Sequence, residues 1–550
     1  MVLLKGILYG VYASILASMI PKKLNKLTEI EGKSLTESER KSSPFRERKR
    51  LNEKIMEICT PPNKEEYDRR GIPQLSDAER EKYHLIPVDE DEMVRRMVEK
   101  QVQESVDQPY LAKVADLTFI GTPEPTEVEN RPEVALELLG KMRDDFRSLK
   151  LSMDICTKCG ACVETCQTYL GTGDPNNAPV GRVDLMRKIY RRYFTRAGRL
   201  LGRLAGGEDI TPETLDLWYK YFYQCNECRR CATFCPFGID TCEVTIVARQ
   251  ILTDLGIVPD FIVSVAKGMH KWGNNLGLPP AAMADTCRFI EEEMKEETGK
   301  DIPIPIDQEG AEVLLNPSSS EFYVTLDSLK GAAKMFYAAG TSWTLSSKII
   351  ETANFGLFFD YGIMKEHNNR LIDAARELKV KRIVAGECGH GWRTWKMFTS
   401  NLSSPMEFKL THLQDEILDY IKDGRIKLDP SANPLPVTLH DPCNMARATG
   451  YIEQPRQIIK AVCEDFREMW PKGDRNFCCG GSSGLLMDEF MNHRMLFSKP
   501  KAAQIYNTGA LILVAPCAIC KAQLPKTMAY WRTGATVHGL IDMVGYALVL

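Results

Sequence analysis

Cys478-Cys479-Gly480-Gly481 sets two thiols on consecutive residues with two glycines behind them. Cys443 stands upstream and Cys517-Ala518-Ile519-Cys520 downstream, so five cysteines follow the spacing C-x34-C-C-G-x36-C-x2-C. Consecutive cysteines make a poor disulfide, because the ring they close is strained. They are well placed to serve one metal assembly. The runs 436–440 and 511–515 read as β-strands, and Cys443 and Cys517 each follow one. In an α/β unit, residues just beyond strand ends gather at one rim, where ligands bind. Helix N-termini at that rim favour thiolates, and Gly480 and Gly481 permit close backbone approach. Five thiols are one more than a cubane takes from its protein, so the set predicts a different iron arrangement. The plainer reading is a zinc site at Cys517 and Cys520 among unrelated core cysteines.

A second pattern lies upstream. Cys156, Cys159, Cys162 and Cys166 read C-x2-C-x2-C-x3-C, and Cys225, Cys228, Cys231 and Cys235 repeat it. This is the bacterial ferredoxin run for 4Fe-4S clusters. In two-cluster ferredoxins the fourth cysteine of each run serves the other cluster. One cubane then falls to Cys156, Cys159, Cys162 and Cys235, the other to Cys225, Cys228, Cys231 and Cys166. Pro236 follows the second run, and Gln167 stands in that place after the first. Proline there shapes a turn and ligates nothing, so the exchange predicts no loss of function. Arg182, Arg229 and Arg230 read as surface or capping arginines before they read as groups that tune cluster charge.

The chain has 550 residues, enough for about three domains, and a net charge of −3, which carries no nucleic-acid signal. Eighteen cysteines in a chain this long, many at ligand spacing, point to metal or redox work and not to a disulfide framework. Residues 1–20 are apolar around a single Lys5 and predict a helix that lies in a membrane interface or docks on a membrane subunit. Residues 21–130 are charged and proline-punctuated and read as an extended arm, with a helix expected over 93–106. Residues 131–300 have helical spacing and hold both ferredoxin runs. A proline-rich stretch marks a linker over 301–330. Beyond it, strands expected at 334–339, 382–385, 436–440 and 511–515 alternate with helices, as an α/β fold of two similar halves, 331–425 and 426–550. The first half is degenerate. Thr341 is aligned with Cys443 and Gly391 with Cys520, leaving Cys388, and one cluster is expected in the two halves together. Cys388 and His390 are further candidates, for substrate sulfur and for a proton, although Cys388 reads equally as an ordinary buried cysteine. His440 reads as a neighbour of the cysteine set or as a core histidine. Cys59, Cys242, Cys287 and Cys463 fit no motif and read as structural.

The five-cysteine spacing resembles the CCG, or cysteine-rich, domain of heterodisulfide reductases. The order of ferredoxin runs then CCG domain on one chain resembles the HdrD-like component of the membrane-linked heterodisulfide reductases. The apolar start, the charged arm and the single intact motif are most similar to the DsrK family, catalytic iron–sulfur subunits of the Dsr membrane complex. The resemblance implies an all-α ferredoxin-like domain with two 4Fe-4S cubanes and an α/β CCG domain with one non-cubane 4Fe-4S cluster on Cys443, Cys478, Cys479, Cys517 and Cys520. It implies a subunit at the cytoplasmic face of the membrane, peripheral or monotopic, working in sulfate respiration. Electrons would pass from a quinone-linked cytochrome b partner through the cubanes to a cluster that cleaves a disulfide or trisulfide in two one-electron steps. The substrate implied is a small sulfur-carrier protein like DsrC. Two other implications are a coenzyme mixed disulfide, as for the HdrD-like proteins, and an electron-transfer role in glycolate, lactate or glycerol-3-phosphate oxidation.

Overall fold

In the computed structural model, the described residues are 43–71, 73–85, 116–351, 356–481, 483, 486 and 488–550. The expected helices at 1–20 and 93–106 lie outside them. Among the described residues no helix is long and apolar enough to cross a membrane.

The region 131–300 is all-α. Helices Arg131–Asp145, Arg147–Ile155, Pro179–Phe194, Pro212–Tyr223 and Thr241–Asp254 enclose one core. Leu139, Met186, Trp218, Phe222, Ile246 and Ile251 meet there, each essentially sealed from water. The helix Thr241–Asp254 is buried nearly all round, and its polar Arg249 is paired there, donating to Phe222 O at 2.7 Å and Cys225 O at 2.9 Å. Phe358 and Ile363, from beyond residue 350, complete this core and fix the helical domain on the α/β domain.

The α/β domain holds two small parallel sheets. The first has the order β2-β1-β3-β4, from β1 (Val313–Asn316), β2 (Trp343–Thr344), β3 (Arg382–Ala385) and β4 (Lys409–His412). The second has the order β5-β6-β7, from β5 (Val437–Leu439), β6 (Ile512–Val514) and β7 (Thr536–His538). One apolar cluster runs through both, joining Val313, Leu315 and Val384 to Val437, Leu439 and Ile512.

Two expectations fail here. Residues 334–339 are not a strand; they end the helix Asp327–Ala339. Leu329, Ala332, Ala333, Phe336 and Ala339 are buried along it, and a short apolar run of this kind reads alike as buried strand or buried helix. The strand that heads the first half is β1, which falls inside the stretch read as a linker. The register moves the counterpart of Cys443. Asn316 pairs with Ala385 and Leu439 with Val514, and Cys388 and Cys517 stand three residues beyond their strands. Cys443 stands four beyond Leu439, so its counterpart, four beyond Asn316, is Ser320. Thr341 lies elsewhere, its hydroxyl donating to the Tyr420 hydroxyl at 2.9 Å.

The arm is helical where it is described, at Ser43–Cys59, Lys64–Arg70 and Asp77–Lys82. It is fastened to the second half: the Cys59 thiol donates to Pro500 O at 3.4 Å and Asn507 Nδ2 to Cys59 O at 2.8 Å.

Candidate metal centres

None of the 18 cysteines is held in a disulfide. Cys443, Cys478, Cys479, Cys517 and Cys520 line one cavity with an empty volume of about 260 Å³, together with Asn226, His390, Pro442, Asn444, Gly481, Ser483 and Ile519. The local folds follow from the sequence. Cys443 opens the helix Cys443–Thr449 just past β5, and Cys517 caps the helix Ala518–Trp531 just past β6. Gly480 takes φ +91°, and a Cβ there would come within 3.0 Å of Ser498, so only glycine brings the paired cysteines this close to the neighbouring helix. Asp441 anchors the loop into Cys443: Arg456 grips its carboxylate with two hydrogen bonds of 2.8 Å, and Gly473 N donates to it at 2.7 Å. All five thiols are buried, and Cys443 and Cys478 lie 3.8 Å apart.

Their protonation is uneven. Hydrogen bonds from Cys478 and then Cys520 hold Cys479 down to about 5. A hydrogen bond from Cys520, aided by His390, holds Cys517 well below the ordinary thiol range. The hydrogen bond to Cys478 and burial push Cys443 up, and burial pushes Cys520 up. Five buried thiols cannot all ionise unless positive charge joins them, and a cationic metal assembly supplies it. The donor set therefore fits an iron–sulfur group. Beneath the cavity Lys501, wholly buried, donates to Asn476 Oδ1 at 2.5 Å, and burial lowers it to about 7.

The ferredoxin runs fold alike. Lys158 and Glu227, at matching places, both take positive φ, as do Gly160 and Arg229 just after the second cysteine of each run. Cys225, Cys228 and Cys231 line a second cavity, of about 350 Å³, together with Cys166 from the other run and with Cys242. Cys156, Cys159 and Cys162 lie nearer the surface, with Cys159 exposed, and Cys235 caps the helix Arg230–Phe234. Arg182 is no surface group. It is 1 % exposed, donates to Tyr221 O at 2.9 Å and Asn177 O at 3.0 Å, and lines the second cavity. Arg230, also buried, bonds Arg475 O at 2.9 Å and stacks on Phe477.

The two cavities adjoin. Asn226 lines both, Cys228 packs among the five cysteines of the first, and Ser483 Oγ donates to Cys225 O at 2.7 Å. Gln167 is the link that sequence reasoning passed over. It is 1 % exposed, accepts from Cys478 N at 2.7 Å and donates to Asn226 Oδ1 at 3.2 Å. Its one signal was the missing proline after Cys166. Cys242 and Arg393 were also missed, and no motif marks either. Cys242 lines the second cavity, and Arg393 lies 3.5 Å from its sulfur and 3.2 Å from Asn444 Oδ1.

Of the candidates in the degenerate half, His390 reaches the first cavity and Cys388 does not line it. Cys388 Sγ accepts Gly391 N at 3.4 Å and so caps the helix Gly389–Leu402. Gly389 packs on the site, since a Cβ there would lie 3.4 Å from Cys517 Sγ. The loops past β3 and β6 are tied at Ala518 N, which donates to Glu387 O at 2.7 Å.

This arrangement defines an iron–sulfur oxidoreductase subunit with a helical dicluster domain and a CCG domain. Residues 152–239 match the family model of the 4Fe-4S dicluster domain, and 437–525 that of the cysteine-rich domain. The chain is 35 % identical over 468 residues to the Hdr-like menaquinol oxidoreductase iron-sulfur subunit 2 of Archaeoglobus fulgidus, covering 77 % of this chain and 84 % of that one. It is 34 % identical to the Hdr-like menaquinol oxidoreductase iron-sulfur subunit of Archaeoglobus profundus, with the same coverage. It is 24 % identical over 403 residues to one component of the dihydromethanophenazine:CoB–CoM heterodisulfide reductase of Methanosarcina barkeri, covering 73 % of this chain and 95 % of that one. The chain belongs to the family of Hdr-like menaquinol oxidoreductase iron–sulfur subunits.

Proposed function

We propose that this chain is the catalytic subunit of a quinone-linked membrane redox complex that reduces an S–S bond at the five-cysteine centre, with the trisulfide of a small DsrC-like carrier protein as substrate. The observation that carries the reading is the junction of the two cavities, which share Asn226 and have Cys228 packed among the five cysteines. Single electrons need such closeness to pass from one centre to the next, and S–S cleavage needs two of them. In this reading Cys156, Cys159, Cys162 and Cys235 hold one cubane, Cys225, Cys228, Cys231 and Cys166 the second, and Cys443, Cys478, Cys479, Cys517 and Cys520 a non-cubane cluster. When bound, these groups supply one-electron carriers and the iron–sulfur chemistry that opens the S–S bond.

The chain's own residues do the rest. The burial of all five cysteines keeps bulk water from the thiolates. Arg447 sets positive charge beside Cys228, Cys443 and Cys478, which favours incoming electrons. Each S–S bond takes up two electrons and two protons and leaves two sulfhydryls. His390 stands within hydrogen-bond reach of Cys517, where its ring N–H can hand a proton to the departing sulfur. A cytochrome b partner would bring the electrons from menaquinol at the cytoplasmic face of the membrane.

The test mixes the pre-reduced full-length holoprotein, without oxygen, with a carrier-protein trisulfide or with a mixed disulfide of two small thiols. The trisulfide should reoxidise the clusters and release sulfhydryls. Reoxidation by the mixed disulfide alone would favour the heterodisulfide alternative. Reoxidation by neither would end the S–S reductase reading.

A further inference from the structure

His440 follows β5, and its backbone N–H continues the pairing with β6 by donating to Val514 O at 2.8 Å. Its side chain is wholly buried. Neither ring nitrogen has a hydrogen-bond partner among the described residues. Buried polar atoms are almost always paired, so an imidazole with both nitrogens unmet calls for an explanation. Of the other buried histidines, His412 accepts from Gln414 N, His538 lies 3.0 Å from Tyr83 O, and His390 reaches Cys517 and leaves only its Nδ1 unmet. His367 is unpaired too, but it sits in the helix Tyr361–Glu377, away from the strand-end rim. What sets His440 apart is its company: a ring nitrogen, Cys479 Sγ and Cys520 Sγ all lie within 4.8 Å of one another.

An imidazole in either tautomer carries one N–H, and the sulfurs of cluster-bound cysteines are good acceptors for it. We propose that His440 donates its ring N–H to a sulfur at the Cys479 and Cys520 side of the five-cysteine centre and thereby sets the potential of that centre. The inference rests on the reading that these cysteines hold an iron–sulfur cluster. A hydrogen bond to such a sulfur stabilises the more electron-rich state, so it raises the potential. His440 is in this sense a positioning residue: it acts through the sulfurs and not on the substrate. Its location between the end of β5 and Asp441-Pro442-Cys443 ties the donor to the ligand loop.

The test compares the full-length holoprotein with His440→Phe, which keeps a ring and removes the donor, and His440→Gln, which keeps an N–H. Iron per chain, potentiometric titration of the centre's EPR signal, and proton and nitrogen ENDOR in H2O and D2O are the readouts. His440→Phe should keep wild-type iron and both cubane signals, shift the centre to lower potential and lose one exchangeable proton coupling. His440→Gln should recover most of the shift. An unchanged potential and an unchanged proton coupling in His440→Phe would overturn the proposal while leaving the five-cysteine reading intact. So would the strong nitrogen coupling of a directly bound imidazole in the wild type, with iron lost from both variants. A wild type with iron for the two cubanes alone and no signal from a third centre would overturn the underlying reading, and this proposal with it.

Discussion

Replacing Gln167 with leucine removes a side chain that joins the first ferredoxin run to the paired cysteines. The glutamine is almost fully buried and makes two hydrogen bonds, from Cys478 N at 2.7 Å and to Asn226 Oδ1 at 3.2 Å. Leucine fills nearly the same space, so the loss is one of pairing and not of packing. It leaves a buried N–H and a buried amide oxygen without partners, each costing about 1–3 kcal/mol. Asn226 Nδ2 already has no partner among the described residues, so Asn226 is poorly placed to rearrange. With partial relaxation, a loss of about 2–4 kcal/mol is expected. Gln167→Pro, which places there the residue found after Cys235, should lose a similar amount, because it removes the same amide. Anaerobic denaturation of the holoprotein, followed by cluster absorbance and circular dichroism, measures both. Variants within about 0.5 kcal/mol of the wild type would refute the idea that this amide bridges the two cavities, since that is the range of an ordinary surface change.

Three further outcomes follow from the geometry. Cys166→Ala should lose the same cubane EPR signal as Cys225→Ala, and Cys235→Ala the other one; a Cys166→Ala spectrum that matched Cys156→Ala would undo the crossed ligand sets. Lys521 is buried and its ammonium donates to Ser328 Oγ at 2.6 Å and to Glu387 Oε2 at 3.2 Å, so Lys521→Met takes the donor from two buried oxygens and should lose about 1–3 kcal/mol in thermal unfolding, whereas a loss below about 0.5 kcal/mol would contradict it. Burial raises Glu387 from 4.5 to about 8, so the folded chain keeps a proton that the unfolded chain gives up above 4.5. Stability from this group is therefore lost as pH rises toward 8, and Glu387→Gln should flatten the decline between pH 6 and 8; a decline of the same slope in the variant would reject this assignment.

The cysteine motifs are legible because metal ligation constrains spacing, and their order already implies the two domains. The crossed arrangement of Cys166 with Cys225, Cys228 and Cys231 could be read from the ferredoxin precedent alone. The strands at 382–385, 436–440 and 511–515 are legible because each is a short apolar run closed by a turn. The run at 334–339 has the same look yet ends a helix, Asp327–Ala339, whose period shows only when the residues before 334 are read with it. β1 has only four residues and follows a proline-rich stretch, so nothing local sets it apart. Moving the first strand from 334–339 to β1 also moves the counterpart of Cys443 from Thr341 to Ser320. Gln167, Cys242 and Arg393 were out of reach for another reason. Their importance comes from partners at 478, 393 and 444, which lie 311, 151 and 51 residues away, and one sequence shows no such pairing.

At the centre stands the claim that Cys443, Cys478, Cys479, Cys517 and Cys520 hold one sulfur-active iron–sulfur centre. Adding a thiol to the oxidised holoprotein and recording the EPR spectrum tests it most directly, with Cys479→Ala alongside. A new signal is expected in the wild type, and its loss in Cys479→Ala together with part of the iron while both cubane signals persist. A wild type without the signal, or a Cys479→Ala protein that keeps all its iron, would contradict the claim.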